Sequence, residues 1–427
     1  MKKMNRLVTL LMCLLAIGGL AFAGGGAQGG SSAKTLELWH IDSTAPEIYQ
    51  GAVDRFIKNN PDYKVNVSYL DADSYEQKLA VAMNSGILPD VFLSWGGGKM
   101  RSYADANLIA DMTSYMNANN FKNKFLDASV SVVSYNGKIW GIPAGEVSVA
   151  AVFYNKDIFA KYNLQPPNTL RELEAINDTL LKNGIVPFTL ANKSRWTGSM
   201  FFMYFATRYA GIEPFANAAE GKGSFTHPTF VYAGNKIQEW VNKKYFIQGY
   251  NSLDVQIGQD RQALYTGDAA MLLMGSWLAA NVENENPDFL GKLGVFMWPR
   301  DEAGVNNADA VVGVVGGNPW HIAQKSNNKD KAFELIQSLI DDAVIKEKSK
   351  KIVPPMKGLV ITNPIQQSLV KELEQAKGIQ LWYDQSLSPE VSEVHKDTCQ
   401  EIFGLTMTPE TAAQRLQEAQ ERFLKNQ

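Results

Sequence analysis

After residue 34, the apolar positions of the chain alternate between the two-residue period of strands and the spacing of helices. Strand-like apolar positions occur within 36–41, 65–69 and 91–93. Between them, Tyr49–Ile57 carries apolar side chains on one helical face, and a second helix is predicted from Ser74 to Gly86. The order strand, helix, strand, helix, strand predicts an α/β fold with right-handed crossovers.

Capping patterns predict where several helices begin. In a capping box, a Ser or Thr side chain and a Glu or Gln three residues later satisfy the free amides of the first turn. Such patterns occur at Thr44–Glu47, Ser74–Gln77 and Thr169–Glu172, and a C-terminal helix is expected to start at Thr408. Because no Pro- or Gly-rich linker divides the chain, two lobes would have to be built from interleaved segments.

The first 23 residues have the pattern of a cleaved export signal. Three basic residues among the first six precede the apolar segment 7–20, and Ala21-Phe22-Ala23 offers a small-x-small cleavage site. The apolar segment is shorter than the ~20 residues that a membrane span needs. We expect residues 1–23 to be a signal peptide, 24–33 a flexible leader, and the mature protein to work in the periplasm or at the extracellular face of the membrane.

Composition excludes several classes of function. Without the three basic residues of the signal, the chain has 38 Lys and Arg against 44 Asp and Glu, a balance that argues against a nucleic-acid surface. Only Cys399 remains after cleavage, so neither an intramolecular disulfide nor a Cys-based metal site is expected. The four histidines lie far apart without ligand spacing. We therefore expect no metal and no cofactor.

Several segments carry motif-like sequences in a particular order along the chain. They are Phe56–Pro61, Leu88–Val91, Asn136–Pro143, Tyr154–Asp157, Tyr265–Trp277 and Lys331–Ile336. Together they resemble the family 1 extracellular solute-binding proteins, the maltose-binding-protein-like receptors of ABC importers. Trp140 stands where the third motif of the family has tyrosine.

The resemblance implies a two-lobed periplasmic-binding-protein fold of type II, with three crossovers between the lobes and a C-terminal helix. We expect lobe 1 to comprise 34–146 and 314–356, and lobe 2 to comprise 147–313 and 357–427. By analogy, the crossings should lie near Glu146–Ser148, Val312–Gly316 and Val353–Gly358. Such receptors close like a hinge around a solute held between the lobes. The resemblance also implies delivery to a membrane permease, and we expect a monomer.

The first candidate binding residues follow the predicted strands, since ligands of open α/β sheets bind beyond the carboxyl ends of strands. His40 and Asp42 close the first strand, and Trp95 and Gly97 follow the third. The glycines at 96–98 allow a ligand to approach the backbone closely. A phosphate nest at these glycines is the alternative interpretation.

Nine tryptophans are the chemical indication of the ligand. Aromatic rings suit the C–H-rich faces of a pyranose, and carboxylate, amide and imidazole groups suit its hydroxyl edges. By position or by resemblance, the further candidates are Glu146, Trp196, Trp277, Asn318, Trp320, Trp382 and Asp384. A large aromatic residue is often part of a core instead, and Trp140, Trp240 and Trp298 are assigned to packing.

These residue types favour a neutral carbohydrate, most simply a di- to tetrasaccharide, because a phosphorylated ligand would require Arg and Lys. Two receptor alternatives stay open: one for a polyol or a glycerol phosphate, and one that serves a signalling sensor. A secreted glycoside hydrolase needs two carboxylates in reach of one bond, which Asp42, Glu146 and Asp384 could supply. No G-x-S-x-G, H-E-x-x-H or dinucleotide motif is present, so we expect a binding protein and not an enzyme.

Overall fold

The fold was determined as a computed structural model. It describes residues 34–41, 46–304 and 310–426. The predicted signal peptide, the leader and the candidate Asp42 lie outside the described residues.

The described strands belong to two larger sheets and one short hairpin. They are β1 (Lys34–Ile41), β2 (Tyr63–Leu70), β3 (Val91–Leu93), β4 (Ser134–Tyr135), β5 (Lys138–Ile139), β6 (Val147–Asn155), β7 (Val186–Thr189), β8 (Ala269–Gly275), β9 (Leu293–Phe296), β10 (Ala310–Val315), β11 (Trp320–Ile322) and β12 (Gly378–Gln380).

The described helices cover both faces of these sheets. They are α1 (Pro46–Asn59), α2 (Ala72–Ser85), α3 (Gly98–Asp105), α4 (Thr113–Asn117), α5 (Asp127–Val132), α6 (Lys156–Lys161), α7 (Leu170–Lys182), α8 (Trp196–Ala210), α9 (Glu213–Ala219), α10 (Pro228–Asn242), α11 (Gln259–Thr266), α12 (Leu278–Glu285), α13 (Lys329–Leu339), α14 (Asp342–Lys348), α15 (Pro364–Gln375), α16 (Tyr383–Ser386), α17 (Pro389–Phe403) and α18 (Pro409–Lys425). Two 3₁₀ segments, Ala118–Lys124 and Pro287–Lys292, complete the set.

Local sequence explains most of the helix ends. The Thr169 side chain accepts from the Glu172 amide and completes the predicted capping box of α7. Thr408 caps α18, the predicted C-terminal helix. The prediction for α2 was wrong by three residues, because Asp71 is the N-cap and accepts a hydrogen bond of 3.0 Å from the Ser74 amide. Asp and Ser are both good N-cap residues, and the earlier one adds a turn to the helix.

Lobe 1 is built on a four-stranded sheet in the order β11-β3-β1-β2. Strand β1 is parallel to β2 and β3, and β11 is antiparallel to β3. Leu36 and Leu38 of β1 are fully buried, and α1 packs Phe56 and its neighbours against the same core. The parallel strands bring their carboxyl ends to one edge of the sheet, which faces the other lobe.

Lobe 2 is built on a second sheet in the order β12-β10-β6-β8-β7, with β9 also paired to β6. Strand β8 is a continuous buried apolar run and β6 is mostly so, as expected for a sheet that is covered on both faces. Trp240 and Trp298 are buried in this core, which confirms their assignment to packing.

Three segments of the chain pass side by side between the lobes. The Gly316 amide donates to the Glu146 carbonyl at 2.9 Å, and the Val147 amide donates to the Val353 carbonyl at 2.7 Å. Val147, Val315 and Val353 form a small apolar cluster of their own. The predicted two-lobed α/β fold with three crossovers and a C-terminal helix is confirmed.

The second crossing lies at the C-terminal end of the residues predicted for it, Val312–Gly316. Gly313, Val314 and Val315 pair with β6 in the sheet of lobe 2, so the chain leaves this sheet only after Val315. The predicted lobe boundary between 313 and 314 falls inside that strand. An apolar strand gives no local signal of the point at which it leaves a sheet.

Candidate ligand-binding cleft

A cavity of about 530 Å³ lies between the two lobes. Nine of the eleven predicted binding residues line it: His40, Trp95, Glu146, Trp196, Trp277, Asn318, Trp320, Trp382 and Asp384. These residues are far apart in sequence and come from both lobes and from two of the crossovers. The fold therefore brings together a site that local sequence indicated only piece by piece.

Three tryptophans of lobe 2 form one continuous aromatic wall of the cleft. The ring centroids of Trp196 and Trp277 are 6.2 Å apart, and those of Trp277 and Trp382 are 6.0 Å apart. Trp277 and Trp196 are half-buried, whereas Trp382 is buried. A Cβ at Gly275 would overlap the Trp277 ring, so this glycine at the end of β8 is what allows the ring to lie over the strand.

Lobe 1 contributes Trp95 to the cleft from the loop that follows β3. Its ring contacts Tyr75 edge-on at 6.2 Å, and the Lys99 ammonium lies 4.5 Å from its centroid. Trp95 is therefore held in place by its neighbours, and the cleft has aromatic surface on both of its lobes.

The crossover end of the cleft is polar. Among the described residues, five buried atoms that belong to cleft-lining side chains have no hydrogen-bond partner: both ring nitrogens of His40 and, at the crossover end, Glu146 Oε2, Ser148 Oγ and Trp320 Nε1. Buried polar atoms are nearly always paired, and ligand hydroxyl groups are suitable partners for the three atoms at the crossover end. Burial raises the pKa of Glu146 to about 8 despite the nearby Lys348 ammonium, so this carboxyl group carries its proton at neutral pH.

His40, the residue before the last in β1, lies on the buried side of the strand against aromatic rings. Its centroid lies 4.1 Å from that of Tyr49 and 5.3 Å from that of Trp320. Burial lowers the pKa of His40 to about 3, and it therefore stays neutral. The structure places His40 at the floor of the cleft with the ring largely covered by protein.

The cations that line the cleft are engaged within the protein. Arg261 bonds the Glu285 carboxylate through Nε and Nη2 at 2.8–3.0 Å. Lys348 donates to the Ala144 carbonyl at 2.8 Å, and Lys351 donates to Asn284 Oδ1 at 2.5 Å. No two of these cations form an open pair for a phosphate group. Within the described residues, no group of three or more His, Cys, Asp or Glu could hold a metal ion.

Gly97 does not line the cleft, and the structure shows a different use of the glycine segment. A Cβ at Gly97 would lie 2.9 Å from the Gln385 carbonyl oxygen, and one at Gly98 would overlap the carbonyls of Ser386 and Leu387. The glycines therefore allow a backbone segment of lobe 2, and not a ligand, to approach the backbone of lobe 1.

Sequence reasoning missed several residues that line the cleft. Asp73 and Glu76 follow β2, so the rule on strand ends that indicated His40 and Trp95 could also have found them. Arg261 and Glu285 come from α11 and α12, whose positions against the cleft depend on tertiary packing. No local signal in the sequence indicates such residues.

Comparison with known proteins places this architecture in a family. The family model described as bacterial extracellular solute-binding protein matches residues 41–346. The chain belongs to this family. No helix in the described part of this solute-binding protein is both long enough and apolar enough to cross a membrane.

Two curated relatives have similar sequences. An uncharacterised ABC transporter extracellular-binding protein of Pyrococcus horikoshii is 25% identical over 62% of this chain and 64% of its own. The melibiose/raffinose/stachyose-binding protein of Bacillus subtilis is 24% identical over 64% of this chain and 62% of its own. The solute-binding protein thus spans somewhat less than two thirds of the length of either relative.

Solved structures share the fold over nearly the whole length. A protein described in work on xylan utilisation by Caldanaerobius polysaccharolyticus superposes with a TM-score of 0.84 and 27% identity, over 90% of this chain and 99% of that one. A chitin oligosaccharide binding protein superposes with a TM-score of 0.83 and 22% identity, over 92% and 99%. The fold is that of the maltose-binding-protein-like receptors.

Proposed function

We propose that this solute-binding protein captures a neutral carbohydrate, a di- to tetrasaccharide, in the cleft between its lobes. Hinge closure at the three crossovers would enclose the sugar, and the closed protein would deliver it to an ABC import permease. The protein is proposed to act as a monomer outside the cytoplasm after cleavage of residues 1–23.

The aromatic wall is the observation that carries the proposal. The half-buried Trp196 and Trp277 have ring centroids 6.2 Å apart, and the buried Trp382 packs against Trp277. Two partly exposed rings at this spacing suit an oligosaccharide better than a monosaccharide. The unpaired polar atoms of Glu146 and Ser148 at the crossover end suit sugar hydroxyls. A ligand site that combines aromatic surface with a few convergent polar groups is the usual design for small solutes.

The charges of the cleft support a neutral ligand over a phosphorylated one. Arg261, Lys348 and Lys351 are each engaged by protein acceptors. Glu146 is protonated at neutral pH, and Glu76 and Asp384 add acidic groups to the lining of the cleft. A glycerol phosphate would therefore meet carboxylates without a free pair of cations, so its receptor is the less favoured alternative.

The names of relatives support the same class of ligand. The Bacillus subtilis relative is named for melibiose, raffinose and stachyose, and structural neighbours are described with chitin oligosaccharides and with raffinose. These names describe those proteins, and the melt screen below tests the same class of sugars on this one.

A thermal-melt screen of residues 24–427 tests the proposal. Neutral mono- and oligosaccharides form one arm, and polyols and glycerol phosphates form the other. A ligand at ~100 times its dissociation constant should raise the free energy of unfolding by ~2.7 kcal/mol. Chromatography of each sugar after incubation shows whether any bond has been cleaved.

A shift with one neutral oligosaccharide series and intact sugar is the expected result. A shift with polyols or phosphates alone would replace the ligand class but keep the receptor. Cleaved sugar would contradict the assignment to a binding protein.

A further inference from the structure

The lobes meet not only at the crossovers but also through charged side chains at helix α2. Glu76 of α2 pairs with Lys99 of α3 in its own lobe, and it pairs with Lys396 of α17 in lobe 2 at 3.2 Å. One carboxylate thus joins a lysine of each lobe. The exposed fractions of Lys99 and Lys396 are only 3% and 2%.

Because its charges are buried, this arrangement depends more strongly on each of its partners than a surface ion pair does. Exposed pairs contribute little because water screens them. Here burial alone would raise the pKa of Glu76, but the two ammonium groups lower it to about 2, so the carboxylate is ionised at any ordinary pH. Removal of one partner from a buried pair leaves a charge that is poorly compensated.

A second polar contact between the lobes lies one helical turn away. The Ser194 hydroxyl, in the loop before α8 of lobe 2, donates to the Asp73 carboxylate of α2. Asp73 and Glu76 are three residues apart and therefore lie on the same face of α2. This face of lobe 1 is directed at lobe 2.

The contact residues of the two lobes differ in whether they line the cavity. Asp73 and Glu76 line the cavity, whereas Lys396 and Ser194 are not among its lining residues. Lys396 can therefore influence a ligand only indirectly, through the position of the lobes or through the charges of Glu76 and Asp384, the two lining carboxyl groups on which its ammonium group acts. The distance between the lobes in the protein without ligand separates the first effect from the second.

We propose that α2 is the latch of the closed protein, with Glu76–Lys396 and Asp73–Ser194 as its two contacts, and that Lys396 is a positioning residue for closure. The latch acts whether or not a ligand is present. Only its effect on affinity rests on the proposed function, because a lower closed population reduces apparent affinity in proportion.

The test measures the distance between the lobes in the protein without ligand. Spin labels on cysteines introduced at Val81 of α2 and at Ile257 of lobe 2 report closure, since these side chains are 69% and 73% exposed. Native Cys399 is 1% exposed and should not be labelled. Pulsed electron-resonance distance distributions are then compared for wild type, Lys396→Met and Lys99→Met.

The matched pair of lysines decides the outcome. Lys396→Met should lose the short-distance population, Lys396→Arg should retain it, and Lys99→Met should keep the wild-type distribution because the ion pair that it removes, with Glu76, lies within lobe 1. A distance distribution of Lys396→Met that is identical to that of wild type would overturn the latch. Equal shifts in both methionine variants would also overturn it, because the effect would then not depend on the bridge between lobes.

Affinity separates this inference from the proposed function. For any sugar that the melt screen identifies, Lys396→Met should weaken binding by the factor by which the closed population falls. Unchanged affinity despite an opened distance distribution would show that closure does not limit binding and would overturn the positioning role. If no sugar binds, the distance measurement still decides on the latch.

Discussion

Replacement of Trp277 by alanine should remove a central part of the binding surface without unfolding lobe 2. The ring packs at Gly275 and beside Trp196 and Trp382, but it stays half-buried, so part of its surface remains for a ligand. A Trp side chain can bury about 150–250 Å² in contacts. Because protein already covers about half of the Trp277 ring, about 100 Å² is left for contact with the sugar. At about 25 cal/mol per Å², the truncation should cost about 2.5 kcal/mol of affinity.

That cost corresponds to an increase of about sixty-fold in Kd, which isothermal titration calorimetry resolves easily. Trp140→Ala is the matched control. Trp140 lies in lobe 1, donates its indole N–H to the Tyr135 carbonyl at 3.0 Å and does not line the cleft. We expect the Kd of the control to stay at the wild-type value.

The reasoning would be refuted if Trp277→Ala bound within twofold of wild type, or if Trp140→Ala lost as much affinity. Melting temperatures of both variants show whether either loss reflects unfolding. If affinity were unchanged, the three tryptophans would be packing residues of lobe 2, and the ligand would have to contact other cleft residues.

Three further predictions concern packing, pH and local structure. Gly275→Ala should displace the Trp277 ring, weaken sugar binding in calorimetry and lower the free energy of unfolding by about 1–3 kcal/mol. Burial lowers the pKa of His395 to about 3, so its contribution to stability is present above the unfolded value of 6.5 and is lost as the pH falls. Between about pH 7.5 and 5.5, the free energy of unfolding measured in urea should therefore fall by about 1.4 kcal/mol less for His395→Gln than for wild type. Thr169→Ala should cost about 1 kcal/mol in urea unfolding, because it removes the cap of α7.

Strand and helix order in lobe 1 could be predicted because local patterns determine it. Leu36 and Leu38 alternate with polar residues, and the apolar positions of α1 fall on the buried face. The lobe boundaries were harder, since the second crossing follows a strand that is apolar to its last residue, Val315. The end of such a strand depends on which sheet it pairs with, and pairing is a tertiary property.

The cleft was predictable where chemistry coincides with a strand end or a crossing. Trp95 and Glu146 occupy such positions, and both line the cavity. Gly97 showed the limit of this reasoning, because a glycine that admits close approach does not reveal what approaches it. Arg261 lies on α11, which reaches the cleft only because of how it packs in lobe 2, and no local pattern indicates that position.

A crystal structure of the mature protein with the oligosaccharide identified by the melt screen tests the central claim most directly. We predict sugar in the cleft between the lobes, with a ring against Trp277 and hydroxyls bonded to Glu146 and Ser148. A sugar bound outside the cleft, or one in the cleft without contact to the wall of Trp196, Trp277 and Trp382, would contradict the account.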